Sequence, residues 1–134
     1  MRIGELMTTT VPIARPQDSL RSAAQLMAEA SVKAVPVCDG GRLAGVLTDW
    51  DVTRAVASGG APDDQLVSDF MTADVVTAAP DTQLGDAWRL MADRRIHHLV
   101  ICDAGRFAGI VHLDVEWSDL DGIGVPHATF GAAV

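Results

Sequence analysis

Residues 45–52 read GVLTDWDV and residues 109–116 read GIVHLDVE. Both stretches open with glycine and an apolar run that ends at a polar residue, which is typical of a strand that gives way to a helix. The first stretch carries Thr48 and Asp51, whereas the second carries His112 and Val115 at the matching places. The chain therefore contains two related segments that differ in their polar residues.

The two stretches belong to a repeat that runs through most of the chain. Met7 and Met71, each followed by threonine, lie 64 positions apart. The same offset of 64 also matches Val11 with Val75, Pro16 with Pro80, Leu20 with Leu84, Met27 with Met91, Cys38 with Cys102, and Gly45 with Gly109. Because a single offset matches residues over most of the chain, the sequence contains an internal duplication. We predict a first repeat over residues 1–58, a glycine-bearing linker over 59–66, a second repeat over 67–121 and a tail over 122–134.

Each repeat predicts the element order β-α-β-β-α, an α/β (α+β) fold. An extended piece, residues 11–14 or 75–78, precedes a helix whose N-cap we place at Asp18 or Thr82. Apolar residues three and four positions apart predict that one helix face packs on a sheet. These residues are Leu20, Ala23, Ala24 and Met27 in the first repeat, and Leu84, Ala87, Trp88 and Met91 in the second.

A β-hairpin is predicted after each of these helices. Two apolar runs flank a turn that begins with aspartate and contains glycine, over residues 34–47 and 99–111. A second helix is expected to begin near Thr48 and near His112. One repeat is too small to cover both faces of its sheet, so we expect the two to pack about a pseudo-twofold axis.

Composition excludes several classes of protein. No apolar run approaches the ~20 residues that a membrane helix needs. The net charge of −8 argues against a general nucleic-acid surface, because phosphate binding requires clustered Lys and Arg. No export signal is visible, so a cytoplasmic chain with reduced, packed Cys38 and Cys102 is expected. No nucleophile-base pair or glycine-rich phosphate loop stands out, and we do not expect an enzyme.

These segments resemble a known family. The Met-Thr segment, the apolar strand followed by an aspartate turn, and Gly-x-x-Thr-x-x-Asp in residues 45–51 are similar to a pair of CBS domains, or Bateman module. The resemblance covers residues 3 to about 119. It implies a regulatory module that binds an adenosine-containing molecule between the repeats, commonly AMP, ADP, ATP or S-adenosylmethionine. It also implies an unidentified regulated protein as partner.

The residues 96–99, Ile-His-His-Leu, resemble the Ile-His-Arg-Leu of the gamma subunit of AMP-activated protein kinase, which uses His and Arg on phosphate. The resemblance implies the following site: Thr48 and Asp51 on ribose; Lys33, His97 and His98 around phosphate; Val46, Leu47, Val75 and Val76 in the adenine pocket. His98 stands where that family has arginine. Because imidazole titrates near ~6.5, we expect phosphate affinity to rise as the pH falls from about 8 toward 6.

The chemistry of Thr48 and Asp51 supports two interpretations. An aspartate one turn into a helix can accept both ribose hydroxyls, and a helix N-terminus favours a nearby anion. Thr-x-x-Asp also resembles a capping box, in which the threonine caps the helix and the carboxylate returns to the backbone. The two roles are partly compatible, since Thr48 can cap and bind at once.

The pseudo-symmetric site lacks its threonine and aspartate. His112 and Val115 stand at those places, and Asp114 is displaced by one position, about 100° around a helix. We therefore expect one nucleotide per chain. For His112 we expect a helix start that faces solvent or a second chain, with a phosphate contact as the alternative.

Other functions stay open at this point. The cleft could be vestigial and the protein a dimerisation module, or it could bind S-adenosylmethionine or a metal, although no His or Cys pair has zinc spacing. A homodimer is expected because two apolar helix faces would otherwise be exposed. These faces carry Trp50, Val52 and Val56, and Val115, Trp117 and Leu120. The tail is expected to be disordered or to lie over a neighbouring chain.

Overall fold

The computed structural model describes residues 1–114 and the backbone of residues 130–131. Within them a 3-10 turn spans Ile3–Glu5, and the helices are α1 (Leu20–Ala30), α2 (Asp49–Ala57), α3 (Val67–Phe70) and α4 (Leu84–Arg94). The strands are β1 (Ala34–Asp39), β2 (Arg42–Thr48), β3 (Thr77–Ala78), β4 (His98–Asp103), β5 (Arg106–Leu113) and β6 (Phe130–Gly131). The predicted helix and hairpin of each repeat are confirmed. No helix in the described part of the chain is long and apolar enough to cross a membrane.

Helices α1 and α4 begin one residue later than predicted. Ser19 rather than Asp18 is the N-cap of α1, because its hydroxyl accepts a 3.1 Å hydrogen bond from the amide of Ser22. The Asp18 carboxylate instead accepts a hydrogen bond from the amide of Arg15 and closes the preceding turn. Gln83 rather than Thr82 occupies the N-cap of α4.

The two hairpins are copies of each other in fine detail. β1 pairs antiparallel with β2, and the register shifts between Val37 and Cys38. β4 pairs antiparallel with β5, and the register shifts between Ile101 and Cys102, which is the same place in the repeat. The duplication therefore preserves even the local irregularity of the strand.

The segment that precedes each repeat's first helix packs on the other repeat. The Ile3 amide donates to the Thr82 carbonyl at 2.8 Å, and the Val67 amide donates to the Asp18 carbonyl at 2.9 Å. Ile3 is fully buried in the core around α4, β4 and β5, and Val67 is fully buried in the core around α1, β1 and β2. Each core thus includes residues from both repeats, so the repeats cannot separate without opening both cores.

A pseudo-twofold axis relates the two repeats. β2 and β5 pair at Arg42 and Arg106, which lie 64 positions apart, and the strands follow the order β1-β2-β5-β4-β3. Around this junction Thr8 bridges to Ile110 and Thr72 bridges to Val46, again as copies at the same offset. A third apolar cluster, built on Ala34, Val46, Val100 and Ile110, fills the space between the repeats.

The second repeat departs from its prediction at His112. β5 continues through His112 to Leu113 and pairs with β6, so no helix begins at His112. The first repeat stops its strand at Thr48, because a capping box starts α2 there. The second repeat has no threonine and aspartate at these places to start a helix.

The predictions for the C-terminal part fall mostly outside the described residues. The second helix predicted for this repeat falls outside the described residues. So does its predicted apolar face of Val115, Trp117 and Leu120. For the tail, the backbone of Phe130–Gly131 pairs with β5 of the same chain. The expectation of disorder or of contact with a neighbouring chain is therefore wrong for these two residues.

Candidate ligand-binding site between the repeats

A cavity of about 520 Å³ lies where the two repeats meet. This volume falls in the range of roughly 300–1,000 Å³ that is usual for small-molecule sites. The first repeat contributes Lys33, Val46, Thr48, Asp49 and Trp50. The second contributes Thr72, Asp74, Val75, Val76, Ile96, His97, His98, Val100, His112 and Asp114. Most of the residues predicted from the sequence are therefore brought together.

Lys33 and His97 each follow a helix that ends in the same left-handed C-cap conformation. The C-cap residues are Ser31 after α1 and Arg95 after α4, and their φ angles are 54° and 51°. This conformation turns the chain sharply out of the helix. The carbonyl of Lys33 then accepts from the Asp49 amide at 3.0 Å, and the carbonyl of His97 accepts from the Leu113 amide at 2.8 Å. The two residues enter the cavity as pseudo-symmetric partners on fixed backbone.

Thr48 lines the cavity and caps α2. Its hydroxyl accepts a 3.2 Å hydrogen bond from the Asp51 amide, while Asp51 Oδ2 accepts a 2.8 Å hydrogen bond from the Thr48 amide. The capping box is therefore present. Asp51 is only 3% exposed and does not line the cavity, and its Oδ1 accepts a hydrogen bond from the guanidinium of Arg54.

His98 and His112 face each other across β4 and β5. Nδ1 of His112 lies 3.1 Å from Nε2 of His98, and the ring centroids are 4.6 Å apart. His112 was expected at a helix start facing solvent or a second chain, and this expectation is wrong. Because it sits on β5 opposite His98, it lies in the cavity wall.

Burial lowers the pKa of His98 to about 4, with further lowering from His112 and His97 and an opposing effect of Asp49. Burial also lowers the pKa of His112, and Asp114 opposes that change. The prediction that phosphate affinity rises from about pH 8 toward 6 assumed the ordinary imidazole pKa of ~6.5, and the lowered pKa of His98 removes that assumption. The reason is desolvation, because burial of the side chain disfavours the charged form.

The apolar wall is formed by Val46, Val75 and Val76, as predicted for an adenine pocket. Leu47 does not take part, and this part of the prediction is corrected. Leu47 is fully buried among the residues of α1 and β1. Neighbouring residues of a strand point to opposite faces, so Leu47 faces the core while Val46 faces the cavity.

Sequence reasoning missed several cavity residues. Trp50 lines the cavity and is 65% exposed. Its place in the sequence between Thr48 and Asp51 could have indicated that it belongs to the site. His112 was matched to Thr48 by the offset of 64, but it was placed at a helix start and not in the cavity. Asp49, Asp74 and Asp114 carried no comparable signal. In residues 1–114 no group of three or more His, Cys, Asp or Glu side chains could hold a metal ion.

Comparison with known proteins gives matches over both repeats. The CBS domain family model matches residues 3–58 and 67–114. The CBS domain-containing protein YhcV of Bacillus subtilis is 36% identical over 111 residues, which cover 83% of this chain and 79% of the relative. A homoserine O-acetyltransferase of Methanohalophilus mahii is 32% identical over 116 residues, which cover 85% of this chain and 23% of that enzyme.

Among solved structures, CBSX2 in complex with AMP is 28% identical, with a TM-score of 0.73. The match covers 83% of this chain and 89% of CBSX2. The likeness extends over nearly the whole of that protein, and so over the arrangement of both repeats.

Proposed function

The chain belongs to the CBS-domain family, and we propose that it is a non-catalytic regulatory module that binds an adenine nucleotide between its two repeats. The observation that carries the proposal is the cavity, which combines an apolar wall with a cluster of nitrogen donors. CBSX2, which resembles this chain in sequence and fold, has been crystallised with AMP. Binding of the nucleotide in the cavity would regulate a partner protein.

The proposed ligand lies across the seam of the repeats. The adenine ring packs on Val46, Val75 and Val76, since apolar walls with few polar groups suit a flat heterocycle. The phosphate lies toward Lys33, His97 and His98, and the ribose lies at Thr48. Both repeats contribute to each ligand, so binding would stabilise their docked arrangement.

Asp51 must become accessible from the cavity before it can bind ribose, because it is only 3% exposed and does not line the cavity. A carboxylate offers about four lone-pair positions, and the Thr48 amide and Arg54 use two of them. The Arg54 side chain is 52% exposed, so it can move into solvent and leave Asp51 Oδ1 for a ribose hydroxyl. Oδ2 would stay on the Thr48 amide and keep α2 capped.

The charges of the lining favour a ligand with little negative charge. Apart from the histidines, the lining contains one basic residue, Lys33, and three acidic residues, Asp49, Asp74 and Asp114. A triphosphate would bring several charges near these carboxylates, so we propose AMP ahead of ADP and ATP. The same three carboxylates favour a second candidate, a cationic adenosine ligand such as S-adenosylmethionine.

Titration calorimetry with AMP, ADP, ATP, NAD and S-adenosylmethionine tests the proposal. We expect saturable binding of AMP, about one molecule per chain, and weaker binding of S-adenosylmethionine. Tightest binding of S-adenosylmethionine would establish the second candidate. If no adenosine compound binds at millimolar concentration, the ligand proposal fails and a dimerisation module remains.

We also propose that two copies associate through α2. Trp50 and Val56 on this helix are 65% and 57% exposed. Val52, which was expected on the same face, packs instead against the first repeat's core. Light scattering at micromolar concentration tests the association. A dimer that becomes a monomer on Val56→Ser supports it, and a monomeric parent protein contradicts it.

A further inference from the structure

The His98–His112 pair is the main polar difference between the two hairpins. His98 pairs with His112 across β4 and β5, at the places where Ala34 pairs with Thr48 across β1 and β2. The first repeat therefore has a methyl group and a hydroxyl where the second has two imidazoles. Both imidazoles line the cavity and lie within hydrogen-bond distance of each other.

The hydrogen-bonding capacity of this pair depends on its protonation. A neutral imidazole has one N–H donor and one acceptor nitrogen. In the 3.1 Å contact one ring donates and the other accepts, so the two remaining nitrogens are one donor and one acceptor, whichever tautomers are present. One added proton turns the remaining acceptor into a donor. The charged pair then has two N–H groups besides the one used in the contact between the rings.

The surroundings of the pair make this change matter for an anion. The other charged or titratable groups that line the cavity are Lys33 ahead of β1, Asp49 on α2, Asp74 ahead of β3, His97 ahead of β4 and Asp114 after β5. With one lysine against three aspartates, a phosphate dianion would meet a negative lining. A proton added to the pair brings positive charge and a second donor to the same place.

We propose that His98 and His112 together form a phosphate-binding pair that takes up one proton from solvent when the nucleotide's phosphate enters the cavity. The proton forms a new N–H bond on one imidazole, and the resulting cation is shared across the 3.1 Å contact. This inference rests on the proposed nucleotide site and assigns to it a coupling between ligand and proton.

The surroundings of the pair favour its neutral form. Burial lowers the pKa of both imidazoles, and each is further lowered by His97 and Lys33. A bound phosphate would act in the opposite direction, since a nearby negative charge favours the protonated ring. The site would thus convert phosphate binding into a local change of charge at the junction of the repeats.

Nuclear magnetic resonance of the full chain carrying 15N-labelled histidine tests the inference near neutral pH. We expect two neutral imidazoles without ligand, and one shared imidazolium signature on saturation with AMP. Saturation with adenosine, which lacks the phosphate, should leave the pair neutral. The variants His98→Asn and His112→Thr assign the signals.

Affinity provides the second readout. His112→Thr restores the residue found at the equivalent Thr48, and we expect it to weaken AMP binding by about 10-fold while changing adenosine binding by less than about 2-fold. A purely structural role of His112 would weaken both ligands alike and would overturn the inference. AMP saturation with both imidazoles still neutral would overturn it as well, while the proposed function would stand. Binding of neither AMP nor adenosine to the parent protein would overturn both.

Discussion

Thr48 and Asp51 hold each other through two reciprocal hydrogen bonds. The Thr48 amide donates to Asp51 Oδ2 at 2.8 Å, and the Asp51 amide donates to Thr48 Oγ1 at 3.2 Å. This pair ends β2 and starts α2, and it fixes the position of the Thr48 side chain in the cavity lining. Asp51 is thus part of the fold as well as a candidate ligand residue, and its substitution affects both.

Asp51→Ala is expected to lower the free energy of unfolding by about 1–2 kcal/mol, because it removes the acceptor for the Thr48 amide from a buried position. Asp51→Asn keeps one acceptor oxygen and should lose less. Urea unfolding measures the difference, and an unchanged stability of Asp51→Ala would contradict the role of the cap.

Lys33→Gln is expected to weaken AMP binding by about 10-fold and to leave adenosine binding unchanged, because we propose that Lys33, which lines the cavity, contacts the phosphate. Asp51→Ala should weaken both ligands, since ribose is common to them. Arg89→Gln is the matched control, because it removes the same charge from an exposed side chain on α4 outside the cavity. Equal weakening of adenosine by Lys33→Gln would place the phosphate elsewhere.

His98 is expected to make stability depend on pH. Its pKa in the fold is about 4, below the ordinary value of 6.5, so the unfolded chain binds the proton first as the pH falls. The contribution of neutral His98 is full above about pH 6.5 and is lost toward pH 4.

Between about pH 7.5 and pH 5 this loss amounts to about 2 kcal/mol of unfolding free energy. Urea unfolding of the parent protein and of His98→Asn at the two pH values measures it. We expect the variant to lose less stability than the parent over this interval. Parallel losses in both proteins would show that His98 does not carry the effect.

The first helix and the hairpin of each repeat, and most of the cavity, could be predicted from the repeat and from apolar periodicity. Leu47 was misplaced because the family motif identifies only a segment of the strand. The alternation of side chains along the strand decides whether Val46 or Leu47 faces the cavity. His112 was misplaced because the offset was taken to copy a helix start, although the capping residues were absent. The lowered pKa of His98 depends on burial in three dimensions, which no spacing reveals.

Gly45→Ala is expected to destabilise the junction of the repeats by about 1–3 kcal/mol, since overpacking against backbone cannot relax cheaply. A Cβ at Gly45 would lie 2.6 Å from the Thr72 carbonyl oxygen. Gly85→Ala is the control, because nothing lies within 4 Å of its added Cβ on α4. Alanine there should stabilise the helix by about 0.5–1 kcal/mol. If Gly45→Ala has the same effect as Gly85→Ala in thermal unfolding, the close approach of the segment around Thr72 is wrong.

The central claim, that an adenine nucleotide occupies the cavity between the repeats, is tested most directly by fluorescence of Trp50 in the variant Trp88→Phe, Trp117→Phe. Trp50 then is the sole tryptophan of the chain, and it lines the cavity with its indole exposed. We predict a saturable change in its emission on titration with AMP, at one molecule per chain, with the affinity that calorimetry gives. Calorimetric binding of AMP with unchanged Trp50 emission, or no saturable response to millimolar AMP in either measurement, would contradict the claim.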